Sequence, residues 1–444
     1  MLRPTRFYQY KSFFSSAIRM VLPTPGINVQ GGGVDVWSLI NGAAAEASKS
    51  SGKPVTNLGQ GFFSYAPPEF ASEALKEALP VAAYNQYAPT KGRPELLNAV
   101  AKSYSPLFKR ELDPNSELVI TAGANEGMFS AFFAFLNQGD EVIVFEPFFD
   151  QYVPDIQMAG GKVVYVPIHP PKDAETRTSS ANNWYIDFDE LSNAITPKTK
   201  MIVLNTPHNP IGKVLTVEEL SKIGELAVKH NIVILSDEVY DRLFYSSEFP
   251  RVATLSPEIW DLTLTVGSAG KSFSATGWRV GWVIGPAPLI HYVAKANTRI
   301  VFSTNTPCQI AVAKSLAIAD ETGYFQENIN NFENKIKILT AAFDKLGLPY
   351  SIPEGGYFVL VNFSKVKIPE DFEFDELIQQ KPRDFKLAIW LIKALGVVAI
   401  PPTEFTTPKT APLLENWLRF AVCKDDSILE EAAEKLQGLK QYIQ

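Results

Sequence analysis

The sequence predicts an α/β fold: a large domain with a mostly parallel, seven-stranded sheet covered by helices, and a smaller α+β domain. Three observations lead there. From about residue 70 to 300, short β-branched runs alternate with helical patterns, as in a parallel sheet wrapped by its crossover helices. Past residue 320 the pattern changes to long helices around a strand. At 444 residues the chain also exceeds the size at which one core keeps growing, so two domains are expected.

The seven strands are expected at 118–121, 142–145, 163–166, 201–204, 232–235, 262–266 and 280–284. A sheet of this kind binds its ligand at the carboxyl ends of its strands. After the first strand, the run 124–136 carries Met128, Phe129, Phe132, Phe133 and Leu136 at helical spacing, and these side chains are expected in the core. A later strand at 357–361 belongs to the second domain. The polar stretches 170–183 and 364–384 read as surface insertions, and the chain has no internal repeat. The expected boundaries are 1–34 for a basic N-terminal segment, 70–315 for the large domain, and 35–69 with 316–444 for the small one.

Composition narrows the function. Hydrophobic residues at 46% and charged ones at 20% are ordinary for a globular enzyme. A net charge of -7 argues against nucleic acid or an acidic membrane as partner. Cys308 and Cys423 are too few for a disulfide framework, and His169, His208, His230 and His291 never fall at ligand spacing, so no metal is expected. No apolar run approaches the roughly 20 residues of a membrane span. The first 34 residues carry Arg3, Arg6, Lys11 and Arg19 and no acid before Asp35, the composition of a mitochondrial transit peptide or of a basic tail. Met20 as a second start would give a cytoplasmic form as well.

The chemistry centres on Lys271, in Gly267-Ser268-Ala269-Gly270-Lys271-Ser272-Phe273-Ser274-Ala275-Thr276-Gly277-Trp278-Arg279. Hydroxyls three residues before and after, and an arginine eight residues on, suggest an amine nucleophile beside a phosphate clamp. Two other motifs fail here. A P-loop needs four residues between its first glycine and the Gly-Lys pair, and Gly267 and Gly270 have two between them. Ser268-Ala269-Gly270-Lys271 fits the S-x-x-K of acyl-enzyme serines, but the chain has no Ser-Asp-Asn or Lys-Thr-Gly to complete that set.

Other strand ends supply partners. The strand at 232–235 runs into Ser236-Asp237-Glu238-Val239-Tyr240. An aspartate there is either a helix cap or, beside a pyridine cofactor, the carboxylate that keeps the ring nitrogen protonated. The strand before it ends in Asn205-Thr206-Pro207-His208-Asn209-Pro210, a rigid turn whose Asn209 could donate to a ring oxygen, with Tyr240 as a second donor. Ala122-Gly123-Ala124-Asn125-Glu126 opens the Phe-rich helix, either as a plain tight turn or as exposed N–H groups that bind phosphate. Arg279 and Ser268 would complete such a cup. In Glu146-Pro147-Phe148-Phe149-Asp150 an aromatic could stack on the ring.

Taken in order along the chain, these motifs resemble the fold-type I pyridoxal-phosphate aminotransferases of the aspartate aminotransferase class, from about Val34 to the C-terminus. Within that class the chain is most similar to the kynurenine aminotransferase/cysteine-conjugate β-lyase branch. The likeness is carried by Asn57-Leu58-Gly59-Gln60-Gly61-Phe62, Asn85-Gln86-Tyr87, Glu146 to Asp150, Ser236 to Tyr240, Ser268 to Trp282, and Trp417-Leu418-Arg419-Phe420. The resemblance implies pyridoxal 5′-phosphate as cofactor, with Lys271 as the lysine that bonds to it and acts as base, Asp237 on the pyridine nitrogen, and Asn209 and Tyr240 on the ring oxygen. It puts Phe149 on the ring face, and Ala124, Asn125, Ser268 and Arg279 on the phosphate, with Tyr87 reaching in from the second subunit of a homodimer. Arg419 would hold the substrate carboxylate, and Gly61, Trp37, Asn209 and Phe302 would line the substrate pocket.

The implied reaction is ping-pong transamination from kynurenine, or another aromatic or large amino acid, to a 2-oxo acid such as 2-oxoglutarate, with kynurenic acid formed from kynurenine. β-Elimination from cysteine conjugates, glutamine or methionine as donor, and a non-catalytic binding protein on the same scaffold are the alternatives. Three departures border substrate or phosphate rather than the reacting imine. Asn125 replaces an aromatic often found in the phosphate loop, Phe62-Phe63-Ser64 replaces Phe-Pro-Asp, and Ser303 stands where mammalian relatives have histidine.

Overall fold

The seven expected strands all form in the computed structural model, which describes residues 35–444 apart from Ser247, together with Gly26. The basic segment and Met20 therefore lie outside the described residues, Gly26 aside. In spatial order the strands are Leu118–Thr121, Gly281–Ile284, Thr263–Ser268, Val233–Asp237, Thr199–Asn205, Glu141–Glu146 and Lys162–His169. Gly281–Ile284 runs antiparallel to both neighbours, and the other pairings among the seven are parallel. An eighth strand, Tyr185–Ile186, adds antiparallel to the edge at Ile168 and His169. Two residues are too few for alternation to register in sequence.

Central strands such as Val233–Asp237 are buried along their whole length, because helices cover both faces. The Phe-rich helix is Ala124–Phe135. Met128, Phe132 and Leu136 join the core as expected, but Phe133 is 54% exposed and Phe129 only partly buried. The helix packs on the sheet by one stripe, and a run of aromatics longer than that stripe places Phe133 outside it.

A second sheet has the order Trp417–Ala421, Phe358–Asn362, Tyr350–Ile352 and Ser179–Ser180. Its last strand corrects the reading of 170–183 as a surface insertion. Ser179 and Ser180 pair in parallel with Ser351 and Ile352, and Ala174 and Ala181 are buried. The stretch 364–384 is likewise anchored. Val366 bridges Ile443, and Asp384 is buried where it accepts from the Thr403 N–H and hydroxyl, each at 2.8 Å.

The core couples these parts. Val239, Tyr240 and Leu243, just past the strand Val233–Asp237, pack in one apolar cluster with residues from Val36 and Ile40 and with the helices Tyr324–Leu346, Arg383–Leu395 and Asp426–Leu436. Leu360 and Trp417 of the second sheet pack with Ile202 and Ile234 of the first. The segment after Asp237 is thus fixed between both sheets.

Candidate active site

The sheet brings several polar strand ends to one place. Asn205 and Asp237 are register partners on neighbouring strands, and Ser268 closes the strand on the other side of Asp237. Asn205 donates its amide to the Asp237 carbonyl at 3.2 Å and accepts the Asn209 N–H at 2.7 Å. Asn209 is thereby held above the strand ends by a residue the sequence reading passed over.

Asp237 is 3% exposed and receives the Tyr152 hydroxyl at 2.5 Å. Burial lifts its carboxyl to about 6, against the hydrogen bond from Tyr152 and the positive charge of Lys271. No helix starts at Asp237, since the next residues form a turn, so the capping alternative falls. Tyr152 was not singled out in sequence because it lies 85 residues from Asp237, and the helix Tyr152–Met158 alone gives no sign of the partner.

Lys271 sits in the short helix Ala269–Ser272 that follows Ser268. Its Nζ donates to the Tyr357 hydroxyl at 2.7 Å and lies 5.5 Å from the centre of the Tyr240 ring. Burial brings the amine down to about 8, near the working range of a base at neutral pH.

The opposite wall is the start of the helix Ala124–Phe135, where Gly123 has φ +85°. A Cβ on Gly123 would lie 2.5 Å from Arg279 Nη2, so only glycine lets the guanidinium lie against the turn. Asn125 Oδ1 is buried there without a partner. Exposed N–H groups at a helix start and an arginine fork are the donor set of a phosphate site.

Two adjoining cavities result. The first, of about 670 Å³, is lined by Ala124, Asn125, Phe149, Asn209, Asp237, Tyr240, Ser268, Lys271 and Arg279, and also by Met128, Asn205, Val239 and Thr276. The second, of about 770 Å³, shares Phe149, Asn209, Tyr240, Lys271 and Thr276 and adds Trp37, Gly61, Phe62, Asp150, Phe405 and Arg419 among others. Nine of the site residues singled out in sequence meet the first or both, and Trp37, Gly61 and Arg419 meet the second. Tyr87 and Phe302 meet neither. They lie edge to face with ring centres 5.4 Å apart, 84% and 53% exposed.

In the second cavity Arg419 is 2% exposed, donating to Asn209 Oδ1 at 3.1 Å and to the Gly59 carbonyl at 2.9 Å. Its Nε is buried without a partner, and burial lowers the guanidinium to about 10. A buried cation with a free donor fits a carboxylate ligand. Trp37 Nε1 donates to Asp150 Oδ2 at 3.0 Å, which ties the first helix, Val36–Ser51, to the strand-end loop. Phe405 also lines this cavity and was missed in sequence. Its turn is held by Glu146, which accepts from the Thr407 N–H and from the Thr410 hydroxyl at 2.6 Å.

The family model for aminotransferase class I and II matches residues 53–436. A probable kynurenine–oxoglutarate transaminase of Saccharomyces cerevisiae is 57% identical over 92% of this chain and 93% of its own length. The kynurenine–oxoglutarate transaminase of Dictyostelium discoideum is 40% identical, covering 86% of this chain and 90% of its own. The crystal structure of a candidate kynurenine aminotransferase from Saccharomyces cerevisiae superposes with a TM-score of 0.91 at 56% identity, covering 93% of this chain and 97% of that one. The chain belongs to the class I and II aminotransferases.

Proposed function

We propose that this chain transfers the amino group of kynurenine, and of other aromatic or large amino acids, to a 2-oxo acid such as 2-oxoglutarate, using pyridoxal 5′-phosphate. One observation carries the reading: Lys271 stands in the wall common to two cavities, one furnished for a phosphorylated ring and the other holding Arg419. The names of the relatives from yeast and Dictyostelium support kynurenine as donor. The aromatic lining of the second cavity, with Trp37, Phe62, Phe149, Phe358 and Phe405, supports a large apolar side chain on the donor.

The residues present fit the cofactor. Ala124, Asn125, Ser268 and Arg279 would hold its phosphate, Asp237 its ring nitrogen, Asn209 and Tyr240 its ring oxygen, and Phe149 its face. When bound, the cofactor supplies an aldehyde for amines and an electron sink for charge developing at the donor's α-carbon. The chain supplies the rest. Arg419 orients the donor by its carboxylate. Lys271 Nζ takes the α-proton and hands it back, an exchange suited to an amine whose burial has brought it near neutrality. Asp237, inside its shell of Tyr152 and the Val239 N–H, holds a proton on the ring side of the site. Met128, Val239 and Phe149 exclude water from that wall.

A second subunit completes the proposal. Tyr87 and Phe302 are exposed aromatics, as are Phe133 and Tyr292, and such residues on a surface support an interface between copies. The basic composition of residues 1–34 supports a mitochondrial form, and Met20 a cytoplasmic one. A single N-terminus on protein from both cell fractions would contradict the two-form reading.

The test is a panel: purified full-length protein with pyridoxal phosphate, kynurenine, phenylalanine, methionine and glutamine as donors, and 2-oxoglutarate against pyruvate as acceptors. Kynurenic acid formed with stoichiometric amino transfer supports the proposal. No kynurenic acid while another donor turns over would overturn kynurenine and leave transamination standing.

A further inference from the structure

The roles proposed so far leave unexplained the group that Lys271 touches. Its Nζ lies 2.7 Å from the hydroxyl of Tyr357, and the same hydroxyl lies 2.9 Å from the carbonyl oxygen of Gly61. Tyr357 is 1% exposed, and its ring is gripped by Phe358, Tyr240 and Phe63, with centres 4.8, 5.1 and 5.5 Å away. The ring therefore has no freedom to swing the hydroxyl elsewhere. A phenol has one proton to give, and a backbone carbonyl can only accept. The proton of Tyr357 is consequently committed away from Lys271, to the Gly61 carbonyl or to the Tyr240 hydroxyl that also bonds it, and its oxygen is left as an acceptor for the amine.

We infer that Tyr357 is a positioning residue for Lys271, one that takes a hydrogen from the amine and gives none back. Its consequence lies at the nitrogen. A hydroxyl with an uncommitted proton would donate to the neutral amine and occupy its lone pair. With the Tyr357 proton committed to Gly61 or Tyr240, that lone pair stays free to attack a carbonyl and to take up a proton. The contact also favours the ammonium over the neutral amine, partly offsetting the burial that brings Lys271 down. The other charged groups bearing on the amine are Asp237, which favours its charge, and Arg419 and Arg279, which oppose it, while burial keeps the nearby Cys423 thiol protonated. Tyr240 packs beside it. None of these is within a hydrogen bond of Nζ in this structure, so Tyr357 holds the amine's direction.

The use made of the lone pair rests on the proposed transamination, but the contact can be tested without it. In the cofactor-free full-length chain, the rate at which acetic anhydride modifies Lys271, followed by peptide mass spectrometry against pH, reports the amine's titration. Wild type should show a midpoint at about 8. Tyr357→Phe, which keeps the ring and removes the acceptor, should lower that midpoint by about one pH unit, on the order expected for one lost hydrogen bond to a charged group. A midpoint unchanged or raised would overturn the inference, since a purely structural tyrosine alters the yield of folded protein or KM and leaves the titration alone. If the variant does not accumulate, 3-fluorotyrosine at position 357, a weaker acceptor, should move the midpoint the same way by less, and no movement would overturn it. Neither donor nor acceptor is present in this assay. A chain inert to every amino acid but with the lowered midpoint would retire the proposed function and keep the role of Tyr357.

Discussion

At the scale of single residues, the site works by burying charges next to a few fixed polar partners. Lys271, Asp237 and Arg419 would each be costly to bury alone, and each instead meets a polar neighbour: Tyr357, Tyr152 and Asn209 respectively. Lys271→Ala should therefore keep the fold and lower kcat by at least about 10³-fold, the scale of a lost general base, measured by steady-state transamination without added amine. Arg419→Met should raise KM for every donor while leaving the cofactor's absorbance unchanged, with kcat/KM down roughly 100-fold for a lost charge-assisted pair. An equal loss with carboxylate-free amines would contradict the role of Arg419. Lys271 and Asp237 were legible in sequence because each stands in a short motif at a strand end, whereas Arg419, in the middle of the strand Trp417–Ala421, was legible only through the resemblance. Tyr152 and Tyr357 were not, because their partners are 85 and 86 residues away and hydroxyl contacts leave no local pattern.

At the scale of elements, rigid strand ends and tight turns set the distances. Gly123→Ala should press a methyl against Arg279 and strain a positive-φ turn, weakening pyridoxal phosphate binding about tenfold in a fluorescence titration, with little effect on donor KM. The turn bearing Asn209 contains His208, which burial pushes down to about 3 from an ordinary 6.5. Its folded form stays neutral as pH falls while the unfolded chain takes up a proton, so the turn loses stability as pH drops below 6.5 towards 3. Urea unfolding should show wild type losing about 1 kcal/mol more than His208→Leu between pH 7 and 5.5. The seven strands of the main sheet were legible from β-branched runs, since strands covered on both faces are mostly apolar and keep their charged and amide groups at the ends. Tyr185–Ile186 and Ser179–Ser180 were not, because a two-residue strand is defined by its partner rather than by its own composition.

At the scale of the whole molecule, one chain leaves Tyr87 and Phe302 together on the outside and builds both cavities without them. Light scattering should show a dimer, with Tyr87→Ala weakening pyridoxal phosphate by roughly tenfold, about the value of one hydrogen bond to a charged group. A monomer that turns over at full rate would contradict it. The central claim is that Lys271 is the cofactor lysine of an aminotransferase, and borohydride reduction of the pyridoxal-phosphate-loaded protein followed by peptide mapping tests it most directly. Wild type should carry a phosphopyridoxyl group on Lys271, and none there when amino donor is added in excess before reduction. A label on another lysine, or no label on a protein that binds the cofactor, would contradict it.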